Sequence, residues 1–316
     1  MDRLYEAVAE RGPVCVGLDT APGYVPPGER RRAGSDAEAV LAFNRAIVDA
    51  TADRAACFKV QIAYYEAMGI PGLRAYARTL SYIRGRGSLV IADIKRGDIA
   101  DTAGQYAKAH FEGDFEADFV TLSPYMGMDS LEPWLAYAGR GKGAFVLVRT
   151  SNRGMRDFEY LELADSAAGT GGPRDPADKG GARRLYHAVG GRLAELAGSL
   201  GGRYGYGAFG AVLGCTERDE AAAIRSRYGN LFFLIPGYGA QGGAAEDAAL
   251  LLREGNGGVV NASRSILKAW TGKAAGKGSA ADAETVDHAF AAEAAREAAG
   301  AMRDAIRKAA AEQNLM

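Results

Sequence analysis

Asp93, Lys95 and Asp98 follow the apolar run Leu89-Val90-Ile91-Ala92 in a D-x-K-x-x-D pattern. The run predicts a buried strand. Residues i and i+2 of a strand share a face, so Asp93 and Lys95 point one way and Ala92 and Ile94 the other. Asp98 falls past the strand end, near the start of the next helix. Carboxylates beside a lysine favour its charged form. The pattern therefore predicts a protonated Lys95 placed to give a proton away. A strand running out into a charged, solvated turn carries the same letters, so the rest of the chain has to decide.

Other strand ends carry polar groups too. Val14-Cys15-Val16-Gly17-Leu18 ends in Asp19, and Ala55-Ala56-Cys57-Phe58 leads to Lys59. Ala144 to Arg149 runs into Thr150-Ser151-Asn152. Leu231 to Ile235 opens into a glycine loop holding Gln241, and Gly258 to Asn261 leads to Arg264. Any one of these could cap a turn or reach solvent. Together they form a ring of alternating charge at one rim.

The elements that would place such a ring are eight apolar strands, the remaining ones being Phe119 to Leu122 and Ala208 to Leu213. A helical stretch follows each, for example about Ser35 to Asp53 with Ser35 as its cap. Continuous strand–helix alternation implies parallel pairing with right-handed crossovers. Eight units over roughly 250 residues predict an α/β fold of the closed (β/α)8 TIM-barrel type, whose βα loops build the active site at one face. An open doubly wound sheet is the alternative, weakened because no G-x-G-x-x-G opens the first helix. The 316 residues are read as one domain, 1–316. It carries a mobile Gly-, Asp- and Ala-rich insertion after strand five at about 153–181. A C-terminal extension of closing helices follows at about 275–316.

In such barrels the loops after strands seven and eight hold phosphate. Gly237, Gly239, Gly242 and Gly243 would let backbone N–H groups approach an anion. Gln241 can donate from its amide. Arg264 would open the last helix, where dipole and guanidinium both suit phosphate. The residues alone thus predict a phosphorylated small molecule. Its phosphate lies by Gln241 and Arg264, and its reacting end by Lys59, Asp93, Lys95 and Asp98.

Composition narrows the partners. A formal net charge of -1 argues against a chain-wide pull toward nucleic acid or anionic membrane. No apolar run is long enough to span a bilayer, and the polar start of the chain is not a signal peptide. Cys15, Cys57 and Cys215 are odd in number, widely spaced and set in apolar runs. They are read as reduced core residues of a cytoplasmic protein. His110, His187 and His288 lack ligand spacing, so neither zinc nor a histidine triad is expected.

Asp93-Ile94-Lys95-Arg96-Gly97-Asp98-Ile99, with Thr102 following, resembles the signature of the orotidine 5'-phosphate decarboxylase family. Gly17-Leu18-Asp19, Phe58-Lys59, Thr150-Ser151-Asn152, the loop Pro236 to Gly243 and Ser263-Arg264-Ser265-Ile266 extend the likeness over about 10–270. The insertion resembles the longer bacterial branch. The resemblance implies conversion of orotidine 5'-monophosphate to UMP and carbon dioxide in pyrimidine biosynthesis, with no metal or organic cofactor. It implies catalytic roles for Lys95, Asp93, Lys59 and Asp98. Substrate contacts would come from Asp19 (ribose hydroxyls), Ser151 (pyrimidine), Pro236, and Gln241 with Arg264 (phosphate). It also implies a homodimer in which Asp98 and Thr102 reach into the partner's site. A magnesium-dependent sugar-phosphate decarboxylase or aldolase of the same suprafamily is the alternative. A Schiff-base aldolase would need a lysine of lowered pKa, against the effect of flanking carboxylates. A silent nucleotide-binding protein would have little use for the charged array.

Overall fold

The computed structural model describes residues 1–163, 183–239, 241–275 and 285–313. Eight parallel strands close into a barrel. They are β1 (Val14–Gly17), β2 (Cys57–Gln61), β3 (Leu89–Arg96), β4 (Phe119–Leu122), β5 (Gly143–Arg149), β6 (Phe209–Leu213), β7 (Phe233–Ile235) and β8 (Gly258–Ala262). Each pairs with its neighbours in sequence, and β8 pairs back onto β1 through Val14–Val260 and Val16–Ala262. The open doubly wound alternative is thereby excluded.

Alternation along each strand sorts its side chains. Val14, Val16, Phe58, Val90 and Ala92 join Phe43, Ile47 and Leu80 of the outer helices in one buried layer. Cys15, Cys57, Ile91, Phe119, Phe145, Phe232 and Val259 face inward and fill the lower barrel. Leu4, Ala7 and Val8 of the first helix, Asp2–Arg11, pack on this plug. All three cysteines are buried free thiols. One layer higher the same inward positions are Lys59, Asp93 and Thr121, so the core gives way to charge toward the C-terminal ends of the strands.

Helix Asp36–Thr51 starts as expected, the Ser35 hydroxyl accepting from the Glu38 N–H at 3.3 Å. The helical stretch after β4 is short. A 3-10 turn, Met128–Leu131, leads into Glu132–Leu135, with Pro133 in its first turn where no N–H is needed. Among the described residues of the Ala-rich tail the long element is the helix His288–Gln313. Its Ala291, Ala295 and Ile306 join the outer core, where it packs beside Asp36–Thr51 and Ala245–Leu250. Of the insertion, 164–181 lies outside the described residues, as does residue 182. Its base is ordered: a 3-10 turn at Arg153–Asp157, then Glu162–Leu163 paired antiparallel with Arg183–Arg184. Of the C-terminal extension, 276–284 and 314–316 lie outside the described residues.

Candidate active site

Lys59 on β2 stands between two carboxylates. Its Nζ donates to Asp19 Oδ1 at 2.9 Å and to Asp93 Oδ2 at 2.8 Å. Lys95 Nζ donates to the other oxygen, Asp93 Oδ1, at 2.6 Å. Lys59 and Asp93 are buried, whereas the Lys95 side chain is 46% exposed at the cavity mouth. Burial alone would push the Lys59 ammonium down, but Asp19 and Asp93 more than offset it and hold the pKa above the usual lysine range. Burial would likewise raise Asp93, yet Lys59 and Lys95 hold its carboxyl well below the usual range.

Asp93 and Lys95 do meet, but not on a regular strand. The β3–β4 register runs Ala92–Val120 and then Arg96–Leu122, so β3 bulges between them. Lys95 sits in the bulge with φ 45°. Strand periodicity predicts the neighbours correctly and misses the bend that aims them.

The array lines a cavity of about 240 Å³, with Ser151 after β5 and Pro236 and Gln241 after β7 also in its wall. Asp19, Pro236, Gln241 and Asn261 are shared with a second cavity of about 250 Å³, which Tyr64 and Arg264 complete. The two form one trough from the charged array to the glycine loop. A larger groove of about 680 Å³ lies outside the barrel. Its Arg78 and Arg84 are ion-paired with Glu38 and Glu116, and it contains none of the strand-end groups.

The glycine loop uses its backbone differently from the sequence expectation. The Gly239 N–H donates to Gly243 O, Gly242 N–H to Gly239 O and Gly243 N–H to Gly237 O, at 2.8, 2.9 and 3.0 Å. Those three N–H groups fold the loop and are not left for an anion. Gly237, Gly239 and Gly242 have φ of 104°, 69° and 98°, which explains their glycines. At Gly243 a Cβ would come within 2.5 Å of Cys215 Sγ, so close packing explains that one. The helix opened by Arg264, Arg264–Leu267, is a single turn with little dipole. Anion affinity there falls to side chains, and Gln241 and Arg264 are both exposed at the trough.

Asp98 and Thr102 line neither cavity. Asp98 is half-buried, its Oδ1 accepting from the Ile99 N–H at 2.9 Å, and Thr102 is exposed on helix Ala100–Phe111. The fold therefore gathers eight of the ten expected residues and leaves these two on the rim.

Sequence reading missed several supports. Ser263 Oγ donates to Asp19 Oδ2 at 2.9 Å, holding the carboxylate from β8. Gly17 makes room for it, since a Cβ there would lie 2.0 Å from that Oγ. Glu159, in the base of the insertion, accepts from the Thr150 N–H and hydroxyl at 2.9 and 2.8 Å and so holds the loop beside Ser151. Thr121 bonds Asp93 directly, its Oγ1 donating to Oδ1 at 2.9 Å. Alternation along Phe119-Val120-Thr121-Leu122 does put Thr121 on the Phe119 face, the only available signal for it.

Among the described residues no cluster of His, Cys, Asp or Glu is arranged to hold a metal ion. No described helix is long and apolar enough to cross a membrane.

Comparison with known proteins matches residues 12–278 to the orotidine 5'-phosphate decarboxylase / HUMPS family. An orotidine 5'-phosphate decarboxylase of Clostridium perfringens is 50% identical over 98% of both chains. One from Clostridium tetani is 51% identical over 85% of this chain and 88% of its own. Among solved structures, Leishmania donovani OMP decarboxylase superposes with a TM-score of 0.66 at 30% identity, covering 96% of this chain and 98% of that one. Leishmania donovani UMP synthase superposes at 0.68 and 32% identity over 97% of this chain, which spans 56% of that longer chain.

Proposed function

The chain belongs to the orotidine 5'-phosphate decarboxylase / HUMPS family, and we propose how its residues carry out the family reaction. The reaction is decarboxylation of orotidine 5'-monophosphate to UMP and carbon dioxide, a step of pyrimidine biosynthesis. The phosphate lies at the Arg264 and Gln241 end of the trough. The ribose hydroxyls meet Asp19, and the pyrimidine lies by Ser151 and Pro236, with its C6 toward Lys95. The bond from C6 to the carboxylate breaks, carbon dioxide leaves, and the electron pair stays on C6. The Lys95 ammonium beside it stabilises that charge and transfers a proton to C6, then regains one from solvent. Asp93 stands beside the substrate carboxylate and disfavours the ground state, while Lys59 keeps Asp93 ionised. Phosphate binding far from C6 supplies energy for ordering the reacting end.

The observation that carries this reading is the Lys59–Asp93–Lys95 chain, at 2.8 and 2.6 Å, in a trough that also holds Gln241 and Arg264. The magnesium-dependent alternative needs carboxylates available to a cation, and Asp19 and Asp93 already face the Lys59 ammonium. Such an enzyme would lose activity with a chelator and would not bind UMP. We take the catalyst to need no metal or organic cofactor, and to be one domain working in the cytoplasm with neither nucleic acid nor membrane as a partner.

We take the working unit to be a homodimer that shares its sites through Asp98 and Thr102. The support is their place on a rim rich in exposed apolar groups: Ile99 is 50%, Met126 47% and Tyr125 89% exposed. The loops bearing them touch, the Ser123 N–H donating to Arg96 O at 2.8 Å.

The test is loss of orotidine monophosphate absorbance on adding pure protein, undiminished by EDTA. A folded sample without turnover would overturn the reading. Lys95→Ala should abolish turnover while leaving UMP binding measurable, and near-normal turnover in that variant would remove Lys95 from its role.

A further inference from the structure

Between Ala92 and Arg96 strand β3 spends two residues more than β4 spends between Val120 and Leu122. The regular β3–β4 pairing is interrupted there, and the N–H groups of Ile94 and Lys95 turn to a side chain. The Thr121 hydroxyl accepts from both, at 3.0 Å each. Its own proton goes to Asp93 Oδ1 at 2.9 Å, the oxygen that also takes the Lys95 ammonium at 2.6 Å. A hydroxyl has one donor and two acceptor sites, and all three are engaged here. Thr121 is 1% exposed, so its hydroxyl is shielded from bulk water while the side chain fills its place.

Those bonds bracket the residue in the bulge. Lys95 has φ 45°, a left-handed conformation that a lysine adopts only when its surroundings impose it. Its backbone N–H and its ammonium are tied to one centre, the first to Thr121 Oγ1 directly and the second through Asp93. The hydroxyl thereby couples the bend of the backbone to the direction of the side chain.

We propose that Thr121 is a positioning residue for the decarboxylation, its hydroxyl holding Asp93 and Lys95 in the geometry of proton delivery. It touches no substrate in this scheme and acts through both residues. The proposal rests on the reading that Lys95 supplies the proton. It adds that the bulge of β3 is held open from β4 by one side chain.

Three variants separate this role from simple support of the fold. Valine keeps the shape of threonine and removes all three hydrogen bonds. Serine keeps the bonds and removes only a methyl group. Thr121→Val is expected to lower kcat by about tenfold or more, since displacements near 1 Å at a reacting group carry penalties of that order. KM for orotidine monophosphate and Kd for UMP should stay within about threefold, because the phosphate end is untouched. Thr121→Ser should keep kcat within about threefold of wild type, the rescue that bulk packing would not produce. If Thr121→Val does not fold, Thr121→Ala carries the same comparison, because its smaller side chain admits water to the two N–H groups. Wild-type kcat in any folded variant lacking the hydroxyl overturns the proposal, as does a serine variant as slow as the valine or alanine one. Failure of the wild-type protein to turn over would sink the parent reading instead, so the two failures are distinguishable.

Discussion

Lys59 and Asp93 face each other across neighbouring strands at 2.8 Å, with side-chain exposures of only 6% and 7%. An ion pair so far from water costs desolvation at both ends, and breaking it by removing one partner strands the other. Asp93 keeps a second cation in Lys95, and Asp19 is 23% exposed, which tempers the cost. Lys59→Met should destabilise the protein by about 3 kcal/mol, the lower end for a broken buried pair, as read by urea unfolding. A loss under about 1 kcal/mol would mean the pair is no stronger than a surface contact.

The same pair sets a pH window for stability. Asp93 has its carboxyl held below the ordinary value of 3.8, so its contribution is present above that value and fades as pH falls through the folded one. Lys59 is held above 10.5, so its contribution is present below that value and is lost only as pH rises through the folded one. The Tm difference between wild type and Asp93→Asn should stay level between these limits and shrink in acid. A steady decline across neutral pH would contradict the assignment.

Gly243→Ala should damage phosphate binding more than chemistry. The added Cβ would meet Cys215 Sγ at 2.5 Å and Gly237 O at 2.8 Å, distorting the loop that carries Gln241. KM should rise at least about tenfold, the scale of one lost charge-assisted hydrogen bond, with kcat at saturation little changed. Gly272→Ala, in a helix with open space around it, is the control and should add roughly 0.5–1 kcal/mol of stability. Equal KM values for the two variants would refute this account of the loop.

Asp98→Ala and Lys95→Ala proteins should each be inactive alone and should rescue each other when mixed. In the proposed homodimer about half the dimers are mixed after subunit exchange, and one of their two sites is whole, so about a quarter of wild-type activity should return. No recovery after proven exchange would remove Asp98 from the partner's site.

Much of this molecule is legible locally. Eight apolar runs separated by helical spacing determine the alternation, and parallel pairing then leaves few ways to close it. Asp93 and Lys95 declare themselves by spacing, and Ser35 by its place before a periodic run. Each of these depends on residues close in sequence.

What only the tertiary structure decided depends on register between distant strands. Thr121 looks like an ordinary strand residue until the β3–β4 slip brings its hydroxyl to Asp93 and two N–H groups of β3. Ser263 reaches Asp19 across 244 residues, a contact available only once β8 closes on β1. The glycine loop reads as an anion cradle, yet the N–H groups of Gly239, Gly242 and Gly243 are spent on carbonyls of the loop itself. Periodicity says which face a side chain takes. Which groups it meets there is settled by long-range pairing, which no short stretch of chain encodes.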